Sequence, residues 1–129
     1  MKIMPNHPTV KLDYPFPMTG EDGKRIILPK LDIDAALAPL MPLVWARGMY
    51  TVQCCQESRP GFAEIEFRDS AAVAEFLYIA QKQYPVEVEI VWEEGESGKK
   101  HLFNVRLLVL FPTDDIQHLV DAFRKKISI

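Results

Sequence analysis

The chain lacks the features by which several special classes of protein are recognised. It has only two cysteines, which are neighbours, and a trans peptide directs consecutive side chains apart, so an ordinary disulfide is not expected. The first ten residues, MKIMPNHPTV, contain no apolar segment typical of a secretory signal. No apolar run approaches the roughly 18 residues that a membrane-spanning helix needs. These absences predict a cytoplasmic protein with no membrane contact.

An excess of positive charge is also missing. The formal net charge is −3, so no global field would recruit nucleic acid, and we expect no nucleic-acid partner. Phosphate-binding loops, dinucleotide-binding glycine patterns and the motifs of zinc proteases and serine hydrolases are absent. Adjacent cysteines on a strand cannot both reach one ion, because structural zinc sites space them two to four residues apart. The sequence therefore predicts neither a cofactor nor a metal site.

What is present is the composition of one globular unit, with 129 residues of which 48% are hydrophobic. Five of the ten prolines lie in residues 1–31, which we interpret as a Pro-rich extended N-terminal arm. Residues 32–129 are then a single α+β domain. Within the arm, Asp22 and Gly23 are typical of a hairpin turn, and residues 24–28 could form a short edge strand.

The periodicity of the domain changes several times. A leading helix is predicted over 35–46, capped by Asp32 or Asp34 and beginning or bending at Pro39. Two β-β-α units follow, with period-two alternation before each amphipathic helix. A β-β-α-β-β-α order predicts a two-layer fold, with a four-stranded antiparallel sheet and the helices on one face. This is the ferredoxin-like arrangement in a permuted order, with the strands from 62 and 101 in the centre.

Alternation assigns the strand residues to two faces. The face packed on the helices is expected to carry Val52, Cys54, Ile65, Phe67, Val88, Ile90, Phe103, Val105 and Leu107. The opposite, open face is expected to carry Thr51, Gln53, Cys55, Glu64, Glu66, Arg68, Glu87, Glu89, Asn104, Arg106, Leu108 and Leu110.

Three interpretations of the open face follow from these residues. It is a solvated surface with cross-strand Arg–Glu pairs, or a polar groove for a cationic or mixed-charge ligand. In the third interpretation, its apolar end forms a homodimer seam through Leu102, Leu108 and Leu110.

The two cysteines separate under this assignment. Cys54 points into the core as a small hydrophobe, and Cys55 points to the open face. A nucleophilic cysteine needs a base or a positive field to lower its pKa. The sequence places none of the three histidines, which are His7, His101 and His118, beside Cys55. Cys55 is the one catalytic candidate, without an identified partner.

A resemblance exists around the cysteines, where the chain reads WARGMYTVQCCQE from residue 45 to 57. The stretch resembles small proteins of bacteria and phages in which a helix ends in Trp and Gly and a Gly-x-x-Thr-x-x-Ser-Cys-Gln/Glu strand follows. The matching positions are Gly48, Thr51, Cys55 and Gln56, with Cys54 where Ser is usual. The likeness continues to Phe67, and that family implies no established activity.

A fainter similarity is to the wybutosine-synthesis tRNA methyltransferase family, which has a Thr-x-Ser-Ser-Cys-Ser-Gly segment. In this chain Gln56 and Glu57 replace its final Ser-Gly. The acidic charge balance argues against tRNA, so we carry over neither methyl transfer nor S-adenosylmethionine.

The hypotheses are therefore three. The leading one is a small binding or interaction domain, without chemistry of its own, for an unidentified protein or small molecule. Its expected binding residues are Thr51, Gln53, Cys55, Gln56, Glu57, Glu64 and Arg106. The alternatives are a cysteine-dependent enzyme with Cys55 as nucleophile and a structural homodimer.

Overall fold

A computed structural model describes residues 7–19, 22–94 and 101–127, with the backbone alone for 91–94, 101–104 and 126–127. The strands are β1 (Thr9–Asp13), β2 (Met18–Thr19), β3 (Ile26–Ile27), β4 (Lys30–Asp34), β5 (Thr51–Arg59), β6 (Phe62–Phe67), β7 (Val86–Glu94) and β8 (His101–Pro112). The helices are α1 (Met41–Ala46), α2 (Ser70–Ala80) and α3 (Ile116–Ile127). The predicted α+β class is confirmed. None of the described helices is long and apolar enough to cross a membrane.

The main sheet has four strands in the order β5-β6-β8-β7, and each neighbouring pair is antiparallel. The strands β6 and β8 are therefore central, and β5 and β7 form the edges. Ile65 pairs with Val109 and Val88 with Leu107, so the apolar residues of neighbouring strands share one face. The helices α2 and α3 pack on that face, and four phenylalanines are fully buried between the layers: Phe67, Phe76, Phe111 and Phe123.

The N-terminal segment forms two further two-stranded sheets among the described residues, of which the sequence predicted a hairpin at Asp22–Gly23 but not the β1–β4 pair. The strands β1 and β4 pair antiparallel, and β2 and β3 pair beyond them, around a turn that includes Gly23 at a φ of 71°. The predicted 24–28 strand is thus the shorter β3. Tyr14, just after β1, is buried with its ring 5.3 Å from that of Trp45. The segment therefore contributes to the core.

The leading helix is shorter than predicted. Residues 35–37 form a single 3₁₀ turn, and the α-helix begins only at Met41, with Pro42 in its first turn. A proline lacks the backbone N–H that a helix interior needs, so Pro42 is tolerated in the first turn of α1. A regular helix does not extend back through Pro39 for the same reason. The side chain of Asp34 makes no cap hydrogen bond; its carboxylate accepts one from the backbone N–H of Gln56 instead.

The face assignment was wrong at the start of β5. The pairing shifts register between Thr51 and Gln53, which leaves Val52 half exposed and turns Thr51 into the core. Such a bulge places two residues of one strand opposite one of its partner, so the alternation changes phase there. Thr51 therefore does not lie on the open face, and Val52 is not a core residue.

For the outer part of the β7–β8 pair the face assignment holds, but the expected burial does not. Val88, Ile90 and Val105 lie on the helix side of the sheet but are 63%, 56% and 45% exposed. The reason is length: α2 has 11 residues and spans about 16 Å, whereas β8 has 12 residues and spans about 40 Å. The helices cannot cover the whole sheet, and no described element covers this end of it.

Candidate functional site on the open face of the sheet

The open face, opposite the helices, combines side chains from all four strands of the main sheet. Pairing aligns Cys55 with Glu64 and Leu110, and it aligns Arg106 with Glu89. Gln53, Glu66, Leu108 and Glu87 form the row between them. Four of the predicted binding residues are thus brought onto one surface: Gln53, Cys55, Glu64 and Arg106.

Arginine–glutamate ion pairs cross this face, as the first interpretation predicted. The guanidinium of Arg106 donates to Oε1 of Glu66 from Nη2 and Nε, at 2.8 and 3.2 Å, and Nη1 lies 3.2 Å from Oε2 of Glu89. The side chain of Glu66 is 8% exposed, so Arg106 is the ion-pair partner of a nearly buried carboxylate. A second pair joins Arg59, at the end of β5, to Glu87 on β7.

The two leucines of this face lie beneath the charged side chains. Leu108 and Leu110 are 4% and 3% exposed. They are already buried within the chain, so they do not form the exposed dimer seam that the sequence predicted. The third predicted seam residue, Leu102, has a side chain outside the described part of the structure. Beside Leu110 lies a cleft of about 180 Å³, lined by Phe62, Pro85 and the Arg59–Glu87 pair.

Glu64 occupies the middle of the face and differs from the other carboxylates there. Desolvation by the surrounding protein raises the pKa of Glu64 above its usual value; Arg106 opposes this shift, and the like charge of Glu87 adds to it. No described residue donates a hydrogen bond to its carboxylate, although it is partly buried. A carboxylate in this state gains stability from an added cation or donor.

Cys55 lies beside Glu64 in the neighbouring strand, in acidic surroundings. Burial raises the pKa of the Cys55 thiol, and the carboxylates of Asp34 and Glu64 raise it further, against a backbone hydrogen bond at Glu57 that lowers it. Burial, with Asp34 a smaller cause, raises the pKa of the Cys54 thiol to about 12. Both thiols are therefore protonated at neutral pH, the opposite of what a nucleophile needs.

The described histidines do not supply a base for Cys55. Nε2 of His118 donates to the carbonyl oxygen of Ala80 at 2.9 Å, and Nδ1 of His7 accepts from the side-chain nitrogen of Gln56 at 2.9 Å. The side chain of His101 lies outside the described residues. The described geometry around Cys55 therefore offers no activated nucleophile.

The remaining predicted residues have structural contacts instead. Gln56 joins the N-terminal segment to the sheet: its backbone N–H donates to Asp34 at 2.9 Å, and its side-chain oxygen accepts from the backbone N–H of Ala36 at 3.1 Å. Its carbonyl oxygen accepts from the hydroxyl of Thr113 at 2.8 Å. Thr51 is buried, and Glu57 lies exposed near the turn after β5. The predicted site is thus divided between core and surface.

Sequence reasoning missed three of the five residues that line the cleft. Arg59, Phe62 and Pro85 belong to turns or strand ends in the sequence, and only Glu87 and Leu110 were assigned to the open face. The signal that could have found Arg59 is its position at the end of a nine-residue strand, from which a long side chain can cross the face. Among the described residues, no cluster of three or more His, Cys, Asp or Glu side chains could hold a metal ion.

No protein-family model matches the chain, and no curated protein and no solved structure matches it either. The function of the chain must therefore be inferred from its own residues.

Proposed function

We propose that this protein is a small binding domain, with no chemistry of its own, and that the open face of its sheet binds a ligand in which a positive charge lies next to an apolar group. The observation that carries the proposal is Glu64, a partly buried carboxylate to which no described residue donates a hydrogen bond, on a face whose other described glutamates have arginine partners. An ammonium or guanidinium group of the ligand would supply the missing donor.

The charge and shape of the surrounding surface support such a ligand. Among the described side chains of its four strands, the face carries four glutamates (Glu64, Glu66, Glu87 and Glu89) and two arginines (Arg59 and Arg106), so these strands have a formal excess of negative charge, which favours a cation. The cleft beside Leu110 is apolar on the side of Phe62 and Pro85, and it would accept the aliphatic part of the same ligand. A protein side chain such as lysine and a small alkylamine share this chemistry.

We also propose a fold family and a cellular location for this protein. The strand order β5-β6-β8-β7 supports a ferredoxin-like sheet with its last strand moved to the front. The two free thiols, Cys54 and Cys55, support a cytoplasmic location, and the resemblance to small bacterial and phage proteins adds no activity. The alternative of a cysteine-dependent enzyme has less support, because acidic neighbours and burial raise the pKa of Cys55.

The proposal is tested by titrating the ¹⁵N-labelled protein with n-hexylammonium, and with n-hexanol and hexanoate as neutral and anionic analogues. We expect hexylammonium to shift the amide signals of Glu64, Phe62 and Leu110 and to bind more tightly than either analogue. The Glu64→Gln variant should lose this preference. The control Glu75→Gln, on α2 and paired with Arg47 at 3.4 Å, should retain it. Equal binding of all three probes would contradict the proposal.

A further inference from the structure

The outer edge of β7 is the one edge of the main sheet that the described chain leaves unpaired along its length. The backbone of β7 is hydrogen-bonded to β8 alone among the described residues. The opposite edge, β5, differs, because the hydroxyl of Tyr14 donates to the carbonyl oxygen of Thr51 and Asp34 accepts from the backbone N–H of Gln56. A free edge presents a row of backbone donors and acceptors that can pair with another extended chain.

An exposed apolar strip accompanies this edge. Val86, Val88 and Ile90 project from β7 on one face, with Val105 beside them on β8, and all four are exposed because α2 and α3 end before reaching this part of the sheet. Edge strands in monomeric proteins are usually protected by charges, bulges or a covering element. Here the helix-side face of the edge has none of these among its described side chains, so it is suited to a partner with apolar residues at every second position.

The other face of β7 defines the charge of the partner. Glu87 and Glu89 alternate with the apolar residues, and each is ion-paired, with Arg59 and Arg106 respectively, but their side chains remain 43% and 52% exposed. With Glu64 and Glu66 beside them, the described glutamates of this face outnumber its arginines, which leaves an excess of negative charge. A second copy of the chain is a poor occupant, because antiparallel pairing centred on Val88 would bring Glu87 of one copy opposite Glu89 of the other, a destabilising like-charge pair. A strand with basic residues at these positions has complementary charge instead.

We infer that β7 binds an extended segment of a partner protein by strand addition, and that this segment alternates aliphatic with basic residues. Main-chain hydrogen bonds to β7 supply the affinity, the aliphatic residues cover Val88 and Ile90, and the basic residues lie beside Glu87 and Glu89. This inference goes beyond the proposed function, because it uses the edge of the sheet, two strands away from Glu64. Either proposal can therefore fail without the other.

The probe is a blocked nine-residue peptide in which lysine and valine alternate, titrated into the full-length labelled protein. We expect new nuclear Overhauser contacts between the peptide and β7, and slower hydrogen exchange of those β7 amides that are not bonded to β8. A glutamate–valine peptide of the same length should bind at least about tenfold more weakly. Two further lysine–valine peptides carry backbone N-methyl groups, one on its valines and the other on its lysines. In strand addition only alternate residues direct their N–H groups at β7, so the peptide methylated at those residues should not bind. If side chains alone hold the peptide, both should bind.

Two variants locate the surface. Replacing Val88 and Ile90 together by threonine removes apolar groups but keeps β-branched, uncharged side chains, and it should weaken peptide binding about tenfold. The control is Val52→Thr, at a half-exposed valine on the opposite edge strand, which should leave binding unchanged. Unchanged β7 exchange, equal binding of all N-methylated peptides, or sedimentation showing that a second copy already occupies the edge would overturn the inference. Loss of binding in Glu64→Gln alone would assign the peptide to the open face and overturn it as well.

Discussion

The indole N–H of Trp45 donates a hydrogen bond of 2.9 Å to the hydroxyl oxygen of Thr51, and both side chains are buried. The bond joins the end of α1 to the first residue of β5. It is possible only because the bulge at Val52 turns Thr51 away from the open face. A residue that the alternation assigned to a binding surface therefore stabilises the core.

The Thr51→Val variant tests this role. Valine has the same shape but no oxygen, so the buried indole N–H of Trp45 would lose its acceptor. We expect the free energy of unfolding to fall by about 1–3 kcal/mol, measured by urea denaturation. Thr51→Ser keeps the hydroxyl and should lose less, about 1 kcal/mol for the missing methyl group. A valine variant as stable as the original protein would show that the bond contributes little.

The Gln56→Ala variant tests the connection between the N-terminal segment and the sheet. Alanine removes the acceptor for the backbone N–H of Ala36 and the contact with His7, but it leaves the backbone bonds of residue 56 in place. We expect faster hydrogen exchange in β1 and β4, with the amides of β6 and β8 unaffected. The control is Gln53→Ala, at an exposed glutamine on the same strand. Equal exchange in both variants would contradict the role of Gln56.

The reactivity of the thiols follows from their raised pKa values. At pH 7 we expect iodoacetamide to modify Cys55 more slowly than a free model thiol, and Cys54, with its pKa near 12, more slowly still. Replacing Glu64 by glutamine removes a carboxylate that raises the pKa of Cys55, so labelling of Cys55 should become faster. Labelling of Cys55 faster than the model thiol would support the enzymatic alternative instead.

Glu64 should reduce stability at neutral pH. Its pKa is raised in the folded state, so the folded protein binds the proton more tightly than the unfolded chain, and the ionised form is destabilising above the folded-state pKa. We therefore expect Glu64→Gln to be more stable than the original protein at pH 7. The difference should shrink as the pH falls through the pKa of Glu64, as measured by urea unfolding across pH. In Glu75→Gln, whose carboxylate has an arginine partner, no such gain is expected. A Glu64→Gln variant that is less stable at pH 7 would refute this explanation.

The sequence predicted the elements whose pattern is long and regular. Period-two alternation from Ala63 to Phe67, followed by a capped amphipathic helix, gave β6 and α2, and the side chain of Asp69 caps α2 at the backbone N–H of Ala72, 2.8 Å away. Cross-strand Arg–Glu pairs were expected from the same alternation, and they are present.

The errors have local or long-range physical causes. A one-residue bulge at Val52 leaves no mark in the alternation, yet it reverses the direction of Thr51. The exposure of Val88 and Ile90 depends on how far α2 and α3 extend over the sheet. The alternation of residues in β7 and β8 does not indicate that length. Arg59 reaches Glu87 across two intervening strands, so the cleft beside Leu110 follows from sheet order and not from spacing in the sequence.

The most direct test of the open face as a binding surface is the pKa of Glu64 itself, measured by NMR from its side-chain carboxyl carbon with and without n-hexylammonium. We predict a value above that of an ordinary glutamate in the free protein, because the carboxylate is desolvated, and a decrease when the ammonium group binds beside it. A pKa of Glu64 that is unchanged at saturating hexylammonium would contradict the proposed function.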